Sequence, residues 1–138
     1  MKSALTLLFS VLISSAFSQN NFNLTIEEGN LEDGPGLQSF VVGKHEGKWL
    51  LIGGRKDGLH QRQPFAAFLA SDNNTTAYVV DPVSLDVWSA SLATLPTALN
   101  EQLQSTNMEY IQRDTVLYIT GGYGYSATAG DHITHPYL

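Results

Sequence analysis

The chain has 138 residues, no cysteine, and seven Lys plus Arg against thirteen Asp plus Glu, a formal net charge of −6. Without cysteine there is neither a disulfide framework nor a thiol for lipid attachment. An acidic chain without a basic cluster also lacks the electrostatic footprint that nucleic acid or an anionic membrane surface requires.

At the N-terminus a single positive charge at Lys2 precedes an apolar run from Ala4 to Ile13 and small residues ending in Ala16-Phe17-Ser18. That order is the pattern of a secretory signal peptide over residues 1–18, with cleavage before Gln19. The apolar run is too short for a bilayer crossing, which needs about 20 residues; the alternative is an anchor or a buried first helix. Once Lys2 is removed, six cationic residues stand against thirteen carboxylates, a net −7. The mature chain is expected to be secreted, periplasmic or at the cell surface, with no membrane insertion after cleavage. An exported domain of this size often carries disulfides in eukaryotes, and their absence favours a bacterial source. The acceptor patterns at Asn23-Leu24-Thr25 and across Asn73 to Thr76 then serve only as loop markers.

Residues 19–36 form a polar, acidic lead-in with turn signals at Glu27-Glu28-Gly29-Asn30 and Asp33-Gly34-Pro35-Gly36, and at most one short strand from Phe22 to Ile26. Beyond it lie six strand-like runs: Leu37 to Val42, Trp49 to Ile52, Ala77 to Val80, Val87 to Leu92, Met108 to Ile111 and Val116 to Ile119. Lys44-His45-Glu46-Gly47-Lys48 predicts a tight hairpin between the first two, and Gln112-Arg113-Asp114 predicts another between the last two. Asp81 to Asp86 links the third run to the fourth, with Pro82 suited to the second position of a turn. The fold class is all-β, built of antiparallel meanders.

One pattern occurs twice. Trp49-Leu50-Leu51-Ile52-Gly53-Gly54 is echoed by Val116 to Ile119, Thr120, Gly121 and Gly122, and between them come Tyr78, Asp81-Pro82 and Trp88. From Leu37 to Gly122 the chain resembles the Kelch repeat, whose blade has an apolar second strand ending in a glycine pair, a third with an aromatic residue before Asp-Pro, and a Trp in the fourth. The resemblance implies four-stranded blades of a β-propeller: a first blade over 37–92 and a partial second over 105–138. It makes Gly53, Gly54, Tyr78, Asp81, Trp88, Gly121 and Gly122 structural. Glycine pairs allow positive φ and close backbone approach, and Tyr78 and Trp88 are large enough to fill the wedge between twisted sheets. The glycine pairs lie 68 positions apart, against a repeat of about 50 residues, so the segment from Arg55 to Asn74 is expected to be an enlarged loop. A propeller closes with about four to eight blades, so the sequence reads as an N-terminal portion of a longer protein, with the second blade's third strand beginning near Tyr137-Leu138. A small self-contained β-sandwich is the alternative.

In such a meander the links after the second and fourth strands emerge on one face, which brings Arg55 to Asn74, Ala93 to Gln104 and Tyr123 to Pro136 together. The first segment holds Arg55, Lys56, His60 and Arg62 within eight positions, side chains suited to carboxylates and hydroxyls. Alternatively it is a solvated loop whose Phe65 to Leu69 stretch packs on the blade. The last segment offers Tyr123 and Tyr125 beside glycines for stacking on sugar rings, and Asp131 with His132 as an acid-base pair or, with His135, as ligands; solvent-facing or structural roles compete with both. No Ser-His-Asp order, phosphate loop or paired-Cys zinc motif is present, so no catalytic residue, cofactor or metal is assigned. The reading is an exported Kelch-like scaffold that binds protein or glycan through loops on one face. Its alternative is a sugar-modifying, epimerase-like enzyme at the same face, since the family's copper radical oxidases need a Tyr crosslinked to Cys; a structural segment of a cell-surface protein is a third reading.

Overall fold

The computed structural model describes residues 23–27, 31–58 and 68–138, and the chain divides into two units, Met1–Asn30 and Leu31–Leu138. In the first unit residues 23–27 form no strand; the signal peptide, its cleavage point and Phe22 lie outside the described residues. No helix among the described residues is long and apolar enough to cross a membrane.

The second unit is mostly β-sheet with one helix. Its first sheet is a four-stranded antiparallel meander, β1 (Val41–His45), β2 (Lys48–Ile52), β3 (Thr76–Val80) and β4 (Val87–Ser91), in that order. A 3-10 turn at Leu92–Thr94 and the helix α1 (Thr97–Leu103) lead into a three-stranded antiparallel sheet of β5 (Thr106–Arg113), β6 (Val116–Ser126) and β7 (Asp131–Thr134). Two differences from the sequence reading stand out. The link from Ala93 to Gln104 contains a helix, and the presumed loop from Tyr123 to Pro136 is largely strand. The second sheet's third strand therefore lies at Asp131–Thr134 and not at Tyr137-Leu138.

Turn chemistry sets the strand ends. β1 and β2 are joined by Glu46-Gly47, both with positive φ at 48° and 77°, the pairing a two-residue hairpin prefers because its twist matches the strands. β1 begins at Val41 and not Leu37, because Ser39 has φ 54° and Gln38 instead forms an isolated bridge to Arg55. Between β3 and β4, Asp81 accepts from the backbone N–H groups of Val83 and Ser84 at 2.9 and 3.1 Å and from Lys48 Nζ at 3.3 Å. These bonds, the backbone ones foremost, hold its carboxyl below the usual aspartate value. That is the physical content of the Asp-Pro element: an acidic side chain that closes its own turn.

The second sheet meets the first along β1. Cross-strand partners share a face, so Gly43, Leu50 and Val79 lie on one side of the first sheet and Val42, Trp49, Leu51 and Val80 on the other. The second sheet reaches both sides: a Cβ on Gly43 would stand 3.0 Å from Leu117 Cδ2, and Tyr110 lines a pocket with Val42, Trp49, Leu51 and Val80. Gln112 then seals the free edge of β1: its side-chain Oε1 accepts from Lys44 N at 2.7 Å and its Nε2 donates to Lys44 O at 2.5 Å. Tyr78 and Trp88 do not fill this wedge together. The register pairs Val79 with Trp88 and Tyr78 with Ser89, which places the two rings on opposite faces, and Trp88 remains 48% exposed with Lys48 Nζ 5.8 Å from its ring centroid.

Both glycine pairs have positive φ: 71° and 82° at Gly53 and Gly54, 69° and 96° at Gly121 and Gly122. They are not equivalent. Gly53-Gly54 ends β2, whereas Gly121-Gly122 lies inside β6, which runs on to Ser126. A Cβ on Gly122 would collide with Ser105 Oγ and Met108 Cγ, while one on Gly121 would meet nothing within 4 Å. Gly121→Ala should therefore lose about 1 kcal/mol, from backbone strain alone, and Gly122→Ala on the order of 2–4 kcal/mol, from strain plus overpacking. Urea unfolding of the two variants measures this; equal losses would mean that crowding at Ser105 contributes nothing.

Candidate functional site

Immediately after the first glycine pair, Arg55 is carried into the interior and is 2% exposed. Its Nε and Nη2 donate to the two carboxylate oxygens of Asp57 at 3.1 and 2.9 Å. Its Nη1 donates to Asn73 Oδ1 at 3.1 Å and to Leu69 O at 3.3 Å. Asp72 Oδ2 lies 3.5 Å from Nη2, and the guanidinium carbon sits 5.3 Å from the Phe68 ring centroid. The carboxylate that this arginine's fork grips bidentately is thus supplied two residues along its own chain, and the Arg55 bond is the main reason the Asp57 carboxyl is held below its usual value. Arg55 fastens the two ends of the enlarged loop to each other. Lys56 is exposed, with its backbone N–H bonded to Asp72 O at 2.9 Å. His60, Arg62 and the stretch from Phe65 to Ala67 lie outside the described residues.

On the second sheet, pairing of β6 with β7 sets Tyr125 opposite His132 and Tyr123 opposite Thr134. The His132 ring stacks on Tyr123 at 5.9 Å and 24° and meets Tyr125 edge-on at 5.5 Å; Phe68 packs edge-on against Tyr123 at 5.3 Å. His132 Nε2 lies 2.8 Å from Phe68 O, and since a carbonyl only accepts, this nitrogen carries the proton. Asp131 turns its Oδ1 to the His132 backbone N–H at 2.7 Å, so that oxygen serves the strand and not the ring. No group of three His, Asp or Glu side chains suited to a metal occurs among the described residues. Tyr123 and Tyr125 remain 37% and 39% exposed, fixed by the histidine between them.

The three segments meet at one cleft of about 340 Å³, lined by Ala70 and Asn73 from the first, Ala93, Leu95, Thr97, Asn100, Glu101 and Gln104 from the second, and Tyr125 and Ala127 from the third. It lies at the end of the sheets opposite the β1–β2 hairpin. Within its wall the Asn100 amide nitrogen donates to Leu92 O at 2.9 Å, and the Gln104 amide nitrogen to Asn100 Oδ1. Glu101 Oε2 accepts from Ser126 Oγ at 2.7 Å, and its Oε1 accepts from Thr128 N and Oγ1, both at 3.1 Å. The Ser126 bond is the largest influence holding the Glu101 carboxyl below the ordinary 4.5; partial burial opposes it, and the Thr128 bonds add to it.

Sequence reasoning named the second segment but none of its side chains. A signal was present: after Pro96, the residues Thr97, Asn100, Glu101 and Gln104 recur at the three-and-four spacing of one helix face. No protein-family model matches the chain, and neither a curated protein nor a solved structure matches it.

Behind the cleft, His135 is 2% exposed, and its Nε2 has no hydrogen-bond partner among the described residues. Burial lowers its proton affinity below the ordinary 6.5, and the charge of Glu101 only partly offsets this. The folded chain therefore holds His135 neutral, and the unfolded chain binds the extra proton. Stability from this group is fully present above 6.5 and declines as pH falls through the window below it. Urea midpoints at pH 7.5, 6.5 and 5.5 should fall in that order, with a smaller fall in His135→Gln; an identical pH profile in the variant would remove His135 as the source.

Proposed function

We propose that this chain is part of an exported recognition protein, a Kelch-like propeller scaffold that binds a glycan or protein ligand through the cleft between its loop segments. The observation that carries the reading is the lining of that cleft: three segments far apart in sequence each contribute to it, and its polar side chains are hydroxyls, amides and one carboxylate. Such groups recognise through hydrogen bonds, and concave sites with a few convergent polar groups are where ligands bind. Arg55 and Gly53-Gly54 are spent on holding the segments in place, as befits a scaffold.

The propeller part of the reading is supported by the meander and by the character of the faces that remain open. The outer strands of a two-sheet sandwich alternate apolar inward with polar outward. Here the first sheet leaves Trp49 and Trp88 exposed, and the outward side of the second leaves Ile111, Val116 and Tyr118 exposed. Exposed apolar side chains on both sheets suit stacking in a repeated series.

Export is checked by N-terminal sequencing of the secreted product, which should begin at Gln19; a product retaining Met1 would remove the signal peptide. For binding, Thr97→Trp fills the cleft and should weaken any ligand at least tenfold, whereas Glu46→Trp at the opposite end should not. The reverse pattern would exclude the loop face. Chemical conversion of a bound sugar would favour the epimerase-like alternative.

A further inference from the structure

We infer that the cleft takes a neutral, hydroxyl-rich saccharide and rejects glycans bearing carboxylate or sulfate groups, an inference that rests on the recognition reading above. Its charge carries the argument. Among the described residues no Lys, Arg or His lines the cleft, and the one charged group there is the carboxylate of Glu101. An anionic sugar would need a cationic partner to offset its lost hydration, and here it would meet a like charge instead.

The state of Glu101 narrows the chemistry further. A carboxylate offers about four lone-pair sites, and three are taken by Ser126 Oγ, Thr128 N and Thr128 Oγ1. That leaves room for one more donor, which a sugar hydroxyl supplies. With its proton affinity lowered by those bonds, Glu101 accepts and does not donate, the property of a binding group and not of a general acid. Beside it the Tyr125 ring is held edge-on by His132 and stays partly exposed, a pre-set apolar plate for the C–H face of a pyranose. The volume of about 340 Å³ lies at the lower end of the roughly 300–1,000 Å³ of small-molecule sites, which suits the end of an oligosaccharide better than a folded partner.

Calorimetry on the mature chain with cello-, xylo- and malto-oligosaccharides, set against oligogalacturonate and heparin-derived oligosaccharides, tests this. The expected result is binding of at least one neutral series and none of the acidic ones, with a loss of tenfold or more in both Glu101→Gln and Tyr125→Ala, each shown to be folded by thermal unfolding. Acidic oligosaccharides binding more tightly than neutral ones, with that binding lost in Thr97→Trp, would overturn the inference and leave the recognition reading standing. Neutral binding that survives both Glu101→Gln and Tyr125→Ala would overturn the assignment to this cleft. If no oligosaccharide of either kind binds while a protein ligand does so with sensitivity to Thr97→Trp, the sugar inference fails and the loop-face reading holds.

Discussion

Two stretches of backbone meet where Gly53 and Gly54 pass Ser105, with no room for a side chain between them. Gly54 N donates to Ser105 O at 2.9 Å, and a Cβ on Gly53 would stand 2.8 Å from that oxygen and collide with Met108 Cε. From this contact the order of the loop region follows. Asn74 N bonds to Gly54 O and Asn74 Nδ2 to Gly53 O, each at 3.0 Å, which brings the far end of the enlarged link back to its start. Arg55 is then pulled inward. An unsatisfied buried polar group costs about 1–3 kcal/mol, and neighbouring side chains and backbone carbonyls supply the partners: the Asn73 and Asp57 side chains for Arg55, the Gln102 carbonyl for Ser105, and the Gly121 and Tyr137 carbonyls for Gln102. The apolar interior is small, with Val41, Leu51, Val80, Leu92 and Met108 buried among the described residues, and the junction of the two sheets is held as much by hydrogen bonds as by burial.

Strands and hairpins were readable because their causes are local. A run such as Val87 to Leu92 and a turn such as Glu46-Gly47 each contain within a few residues what decides their conformation. The helix and the last strand did not announce themselves in that way. Thr97–Leu103 has only seven residues, and its buried side chain is the polar Gln102, while Leu99 faces out; the apolar stripe that identifies a helix is missing. Asp131–Thr134 is four residues long with one aliphatic member, and it forms a strand because β6 offers it an edge. The pairing is non-local and so lay beyond any reading by window.

The site divides along the same line. That the three segments share a face follows from meander topology, and residues from all three line the cleft. Which side chains line it depends on the helix, so only the three-and-four spacing after Pro96 sets Asn100, Glu101 and Gln104 apart from their neighbours. Arg55 shows the converse error. Its charge and loop position made it a candidate for ligand contact, yet Asp57 two residues later was already the matching carboxylate; a motif of that kind becomes legible only when the loop is known to fold back on itself.

The cleft does not belong to either sheet. Asn73 stands on the link after β2, Glu101 on the helix between the sheets and Tyr125 on β6, and Glu101 is fixed by Ser126 and Thr128 of the second sheet's own turn. Its geometry is therefore as stable as the packing of Gly43 and Leu50 toward Leu117, and any change that alters how the sheets stack alters the distance from Asn73 to Tyr125 with no change to a lining residue. Strands that are apolar on both faces make this coupling stronger. Trp49-Leu50-Leu51-Ile52 reads as an unbroken run and not an alternation because both faces of the first sheet are lined by apolar neighbours: Leu50 shares a pocket with Leu117, and Trp49 and Leu51 share another with Tyr110. Contacts made on either face bear on the position of the first sheet, and through Gly53-Gly54 on the mouth of the cleft.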